Sequence, residues 1–237
     1  MTDSYIEWKD WRAEDFGRFD AETAAYFAQE LEASGVASVR DLTVGELGYG
    51  NGAFAGWVRR AGGRWVGREA IPELQQRAAG AGFAVIAPEV AFSEASDHGP
   101  LDLLVVFDVI EHLELAEIRA FLRDATRALR PGGLLLIRIP SGDSPFSHAI
   151  YTGDLTHRSL LGSSAVRRLA EEAGLDVSQI RSPVFPVTGS GARGALRRMS
   201  VLSARAIVFK FIRTVLMGNS GAIISPNMLV VFRRPAC

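Results

Sequence analysis

The sequence predicts an α/β fold: a doubly wound sheet of seven strands, with N-terminal helices before it and a helical insertion ahead of the last strand. Three observations lead there. Short β-branched or apolar runs alternate with longer helical patterns along most of the chain, the signature of a parallel sheet covered on both faces. The run 101–107, Leu-Asp-Leu-Leu-Val-Val-Phe, is almost continuously apolar, as a central strand buried on both sides must be. Gly48, Gly50 and Gly52 close the first strand pattern and open a helical one.

The elements follow in order. An N-terminal helix has Asp20 as a plausible cap and places Ala25, Phe27 and Leu31 on an apolar stripe. Strands are expected near 39–47, 64–69, 83–87, 101–107 and 134–139, with Pro140 stopping the fifth. Helices are expected from Gly52 to about Ala61, from Pro72, where proline is tolerated in a first turn, and over 115–129, ended by Pro131-Gly132-Gly133. A long connection, 141–161, leads to a helix capped by Ser163 or Ser164 and closed by Gly174. Strands at 176–184 and 227–232 enclose an insertion of some 40 residues with a basic, amphipathic helical stretch. The division expected is an N-terminal helical extension (1–38), a core (39–184), the basic insertion (185–225) and the last strand (226–237), all within one domain.

Composition narrows the class. At 237 residues, 48% of them apolar and 22% charged, the chain can bury a sizeable core, which argues against global disorder. Its single cysteine, Cys237, builds neither a disulfide framework nor a thiolate zinc site, in keeping with a reducing compartment. The polar, acidic start Met1 to Trp8 does not read as a signal peptide, and 206–217 is too short and too charged to span a bilayer. A cytoplasmic location is therefore expected. Charge is uneven: after Asp176 there is no acidic side chain, whereas Arg181, Arg193, Arg197, Arg198, Arg205, Lys210, Arg213, Arg233 and Arg234 all follow. The C-terminal region either faces something anionic or pairs with the acidic remainder of the chain. No nucleic-acid reading motif accompanies these bases.

The glycine loop is the first functional signal. Glycines at 48, 50 and 52 let a ligand approach the backbone and the helix N-terminus. Gly48-x-Gly50-x-x-Ala53 is also a tolerated dinucleotide fingerprint, and Glu69, 21 residues after Gly48, suits ribose hydroxyls in either case. An NAD(P) oxidoreductase and a turn without a ligand are the alternatives at this point.

Three segments together, Glu46-Leu47-Gly48-Tyr49-Gly50-Asn51-Gly52, Phe107-Asp108-Val109-Ile110-Glu111-His112-Leu113 and Leu129-Arg130-Pro131-Gly132-Gly133-Leu134, resemble in order and spacing the core of class I S-adenosylmethionine (SAM)-dependent methyltransferases, over roughly 41–184. The resemblance implies a Rossmann-like fold with SAM as cofactor. It implies cofactor contacts at Glu46, Gly48, Tyr49, Gly50, Asn51, Gly52, Glu69, Phe107 and Asp108, with Glu46 near the methionine ammonium group. Glu89 is a looser adenine-side candidate, and Tyr49 could equally fill space. Tyr151-Thr152-Gly153-Asp154-Leu155-Thr156-His157, the helix at 163–174, Ser225-Pro226-Asn227-Met228, Trp8-Lys9-Asp10-Trp11 and Tyr26-Phe27-Ala28-Gln29-Glu30-Leu31 resemble a bacterial subgroup that accompanies surface-polysaccharide and other glycan biosynthesis.

A sugar hydroxyl needs a positioned base, because it is a poor nucleophile at neutral pH. Of the four histidines, three fall after the fourth and fifth strands, where open α/β sheets hold ligands. His157 is the expected base with Asp154 orienting it or binding substrate, and His112 and Glu111 are further catalytic candidates. The alternatives have Glu111 capping the next helix, His112 packing beside adenosine, and Asp154 with His157 merely closing a loop. His148 and Tyr151, with Arg197 and Arg198 of the insertion, are expected on the substrate. No metal is expected, although His148, Asp154 and His157 form a conceivable divalent site. The insertion reads as a lid or dimer element holding phosphate or anionic lipid, or else as an amphipathic helix pair packed on the sheet. The expected reaction is O-methylation of a sugar or sugar-containing metabolite, with a glycan or small-molecule acceptor that could carry phosphate. Peripheral membrane contact and a homodimer are further expectations. Natural-product or quinone scaffolds and a non-catalytic SAM-binding protein are the other readings.

Overall fold

The computed structural model describes residues 6, 7, 9, 11, 15–187, 191–218 and 220–236, with only the backbone of Ser96; the readings on Met1 to Tyr5, Trp8, Asp10 and Cys237 lie outside these residues. Helix α1 (Ala21–Ala33) starts where Asp20 Oδ1 accepts the Thr23 amide at 2.7 Å, the predicted cap. Strand β1 (Thr43–Leu47) is shorter than expected because Asp41 is left-handed, φ 62°, and breaks the extended run. There follow α2 (Ala53–Arg60), β2 (Arg64–Arg68), α3 (Pro72–Gly80), β3 (Ala84–Ile86), β4 (Leu101–Phe107) and α4 (Leu115–Ala128).

Strand β5 (Leu129–Pro140) begins directly after α4, with Pro131-Gly132-Gly133 as an irregularity inside it and not as the stop between elements. The long connection carries a short helix, α5 (His148–Thr152), before α6 (Ser163–Ala173), β6 (Asp176–Arg181), α7 (Gly191–Val215) and β7 (Asn227–Arg233). Neither Ser163 nor Ser164 caps α6. Gly162 holds that position, and Asp143 Oδ1 from the β5 loop accepts the Ser163 amide at 3.0 Å. Gly174 closes the helix at φ 71°, as expected of a residue without a Cβ.

The sheet order is β3-β2-β1-β4-β5-β7-β6. It is the seven-stranded, doubly wound sheet expected, and it is mixed: β7 runs antiparallel to both β5 and β6 and slots between them. Two apolar clusters cover its faces. One contains Ile118, Phe121 and Leu122 of α4 with Val166 and Leu169 of α6, and the other Phe27 of α1, Phe54 of α2 and Leu74 of α3. Leu103, Leu104 and Val105 of β4 lie fully inside, alternating between the two.

The insertion departs from the helix-pair reading of it. It is one helix of 25 residues with no buried side chain, not a pair packed on the sheet. Leu196, Val201, Ile207, Val208, Phe211 and Val215 are exposed along one side of it, and the half-buried Leu202, Phe209 and Ile212 lie on the other, so apolar residues occupy both sides with bases among them. Phe209 stacks on Phe146 of the loop after β5, with ring centroids 6.4 Å apart. Some bases do find acids. Arg198 pairs with Glu22 of α1, and Arg181 reaches the fully buried Glu30 at 2.5 Å. Among the described residues no ion pair forms at Arg193, Arg197 or Lys210, and no helix is long and apolar enough to cross a membrane.

The Arg181–Glu30 pair binds β6 to α1, with the Val184 amide donating to Glu30 Oε2 at 2.8 Å. Arg181→Met should destabilise the fold by about 3 kcal/mol, because it strands a buried carboxylate. The double variant Arg181→Met/Glu30→Leu should recover most of that loss in urea denaturation. Equal losses in both would show that the pair, and not the stranded charge, carries the stability.

Candidate functional site

Two strand ends meet here. β1 and β4 are parallel neighbours, so the glycine loop after Leu47 and the segment after Phe107 emerge side by side. Gly48, Gly50 and Gly52 have φ of 70°, 51° and 73°. A Cβ on Gly48 would collide with Val109 of the second segment, so the close approach of the two loops requires glycine there.

Glu69, just past β2, braces the loop. Its Oε2 accepts the Gly50 amide at 3.1 Å, and its Oε1 accepts those of Ala70 and Ile71 at 2.8 and 3.2 Å. Burial pushes its carboxyl up while these amides pull it down. Glu46 is inside β1, with Trp65 Nε1 donating to its Oε2 at 2.8 Å. Burial, with the neighbouring Glu69, pushes its carboxyl up to about 8.

Tyr49 is turned into the core against Trp65 and Phe16, its hydroxyl buried without a partner. Asn51 donates to the Asp15 carbonyl at 3.3 Å, and its Oδ1 is buried and unpartnered. The N-terminal segment roofs the loop. The Trp11 ring lies 2.8 Å and the Phe16 ring 2.5 Å from where side chains would start on Gly50 and Gly52.

Asp108 is left-handed at φ 56° and is gripped in bidentate fashion by Arg138, whose NH1 donates to Tyr26 Oη at 2.7 Å. That interaction occupies a carboxylate assigned from sequence to the cofactor. Phe107 packs on Phe27, Phe54 and Tyr26. Burial moves Tyr26 up to about 12.

The loop after β5 folds back onto the end of β4. The amides of Arg158 and Ser159 donate to the Glu111 carbonyl at 2.7 and 3.0 Å, and Ser159 Oγ donates to the Leu113 carbonyl at 2.6 Å. This brings His157 against His112, ring centroids 4.7 Å apart. Tyr151 stacks on His157 at 5.4 Å, and its carbonyl lies 2.7 Å from His157 Nδ1.

Asp154 does not orient His157 as expected. It accepts the Thr156 amide at 2.9 Å and hydroxyl at 2.5 Å, and Thr156 Oγ1 lies 2.8 Å from His112 Nδ1. Burial would raise Asp154, but Thr156 and the two histidines bring it below its ordinary value. Burial and the facing His157 lower His112.

Glu111 does not cap α4. That role belongs to Glu114, in a capping box with Glu117. Glu111 is instead 3% exposed, its Oε2 has no partner, and burial next to Asp108 pushes it up to about 8. Glu111, His112 and His157 each offer a ligand atom, all within 4.8 Å of one another. His148 is exposed on α5, outside this group. Arg197 is exposed, whereas Arg198 is held by Glu22 and the Pro186 carbonyl.

The residues around the glycine loop fit SAM. Two buried oxygens lack partners, on Tyr49 and Asn51, and Glu46 is a buried acid with no cation beside it. A cationic, polar ligand answers all three. Gly48 to Gly52, Glu46 and Glu69 are the groups that would hold it.

The comparisons bear on this. A family model described as "Methyltransferase domain" matches residues 7–180. No curated protein matches the sequence. A SAM-dependent methyltransferase from Archaeoglobus fulgidus is similar, with 16% identity and a TM-score of 0.62, covering 93% of this chain and 97% of that one. A Burkholderia thailandensis 1,6-didemethyltoxoflavin N1-methyltransferase, solved with S-adenosylhomocysteine, has 15% identity and a TM-score of 0.55, covering 98% and 83%. The mitomycin 7-O-methyltransferase has 19% identity and a TM-score of 0.58, covering 90% of this chain and 53% of that one.

The elevated Glu46 carboxyl has a measurable consequence. Its folded value, about 8, lies above the ordinary 4.5, so the unfolded chain ionises first as pH rises between them. Stability from this group is therefore lost from pH 4.5 toward 8, by up to about 1.4 kcal/mol per unit. Glu46→Gln, studied without cofactor, should lose less stability than the parent between pH 5 and 7.5 in urea denaturation. Parallel curves would mean that Glu46 is ionised in the fold.

Proposed function

We propose that this chain, which belongs to the methyltransferase-domain family and is a SAM-dependent methyltransferase, acts on a hydroxyl of a sugar or sugar-containing metabolite. The observation that carries this reading is the acid–base group Glu111, His112 and His157, gathered beside the glycine loop by the fold of the β5 loop onto β4. SAM brings an activated methyl group on a sulfonium, so the protein's task is to align the acceptor and take up its proton. A hydroxyl acceptor is the kind that requires such a base.

Each part then has a task. The Tyr151 carbonyl fixes the proton of His157 on Nδ1, leaving Nε2 to accept the hydroxyl proton. Asp154, through Thr156, fixes His112 in the same sense. Glu46 and Glu69 hold the cofactor side, while Trp11 and Phe16 exclude water from the loop. Resemblance of the Tyr151 to His157 segment to glycan-modifying methyltransferases supports a sugar over other hydroxyls. The mitomycin and didemethyltoxoflavin enzymes among the structural neighbours favour a second reading, a natural-product acceptor.

Arg197 is the basic residue we assign to a phosphate on the acceptor. Helix α7 carries its exposed apolar residues along one side, the arrangement a peripheral membrane contact needs. Its exposed apolar residues are also the surface a homodimer would use. The cytoplasm is the compartment this reading assigns to the chain.

S-adenosylhomocysteine, and not NAD, should raise the melting temperature. In an acceptor panel with SAM, methyl transfer should appear on sugar hydroxyls; transfer confined to amines would reject the reading. On the accepted sugar, His157→Gln should lower kcat by about 10²–10⁴ with little change in KM. For a phosphorylated acceptor, Arg197→Glu should raise KM about tenfold or more. An unchanged KM would remove Arg197 from the acceptor site.

A further inference from the structure

We propose that Glu111, His112 and His157 bind a divalent metal ion of the zinc type, with open positions toward the acceptor side. The site differs from His148, Asp154 and His157, the trio suggested by sequence. In the structure His148 is exposed on α5 and Asp154 is engaged by Thr156.

Protons decide what this cluster can do. The Thr156 hydroxyl donates to Asp154 at 2.5 Å, so in its contact with His112 Nδ1 it can only accept. His112 therefore carries its proton on Nδ1. A carbonyl also only accepts, so His157 likewise carries its proton on Nδ1, toward Tyr151. Both rings thus keep Nε2 bare, and each residue of the trio has a ligand atom within 4.8 Å of those of the other two. Glu111 adds an oxygen that is buried and unpartnered. The two imidazoles and the carboxyl oxygen receive no donor from the surrounding groups, an arrangement that suits a cation or a shared proton.

The pattern is that of a metal site. Metal-ligating histidines pass their second N–H to a carbonyl or to a group backed by a carboxylate, which fixes tautomer and orientation. His157 does the first and His112 the second, through Thr156 to Asp154. Two imidazoles and one carboxylate with free positions suit zinc and ferrous-type ions over magnesium or calcium. The ligand atoms lie within 4.8 Å of one another, whereas a tetrahedral ion holds its ligands about 3.3 Å apart. Half-exposed His112 and His157 can close that gap by small rotations. The backbone ties at Glu111 and Ser159 keep the three residues together.

Binding stands on this geometry alone and does not depend on the sugar reading; an ion on His157 Nε2 would displace the base role given above to that nitrogen, which belongs to the metal-free chain. The test uses the full chain, stripped with a chelator, and Co²⁺ as the optical probe, without SAM or acceptor. One equivalent of Co²⁺ should develop a visible absorption that Zn²⁺ displaces, and Zn²⁺ should raise the melting temperature. Glu111→Gln and His112→Ala should weaken binding by at least tenfold, and Thr156→Val, which removes the support of His112, by about 10–100-fold. His157→Cys, checked for folding by circular dichroism, should shift the Co²⁺ spectrum into a thiolate charge-transfer band, which an indirect role for His157 would not produce.

No Co²⁺ binding by the parent chain would overturn the proposal and identify a proton as the cation in the cluster. Binding that survives all these substitutions but is lost in His148→Ala would overturn it too. Neither result touches the acceptor panel, and failure of that panel leaves the metal measurement standing.

Discussion

The parallel pairing of β1 with β4 is the constraint on which the site depends. Val44 to Leu47 run alongside Leu103 to Val106, although β2 and β3 lie between them in sequence. Both strands are buried on both faces and so cannot slip in register without exposing apolar side chains. Their carboxyl ends are thereby fixed next to each other, at the point where the strand order reverses direction. Everything that follows Leu47 or Phe107 inherits that position: the glycine loop on one side, Asp108 and the Glu111 to His112 turn on the other.

A second layer of ties completes the arrangement. The loop after β5 is long and has few side chains in the core, so it needs other anchors. It takes them from the Glu111 carbonyl, which receives two amides, and from Asp143, which starts α6 and also accepts the Ile223 amide. A single carbonyl at the end of β4 thus positions His157 on a distant loop. Chemistry that reads as two separate motifs becomes one cluster through main-chain hydrogen bonds, which the identity of the side chains scarcely records.

Legibility in the sequence follows the same division. Strands β1 to β5 and the helices between them were readable because a parallel sheet imposes apolar runs and glycine stops on the chain. The antiparallel slot of β7 was not, since an apolar run does not encode its direction. Glu46, Glu69 and the glycines lie together at the strand ends, as their spacing implied. Asp154 beside His157 suggested a direct pair, but a turn places Thr156 between their functions. Arg138 and Tyr26 were missed. A lone arginine within the apolar run 134–139 was the available signal, since a charge inside a central strand needs a partner, here Asp108. Helix α7 misled because nothing in its run of bases and apolar residues marks it as one continuous helix in place of a packed pair.

The aromatic roof has a practical side. Of the four tryptophans in the chain, Trp11 lies against Gly50, and Trp65 donates its indole N–H to Glu46. Both indoles therefore touch residues assigned to the cofactor, one at Gly50 and one at Glu46. Indole emission responds to the polarity and charge around the ring. The molecule accordingly carries a built-in optical reporter, by which occupancy of the glycine loop can be followed through intrinsic fluorescence without any label.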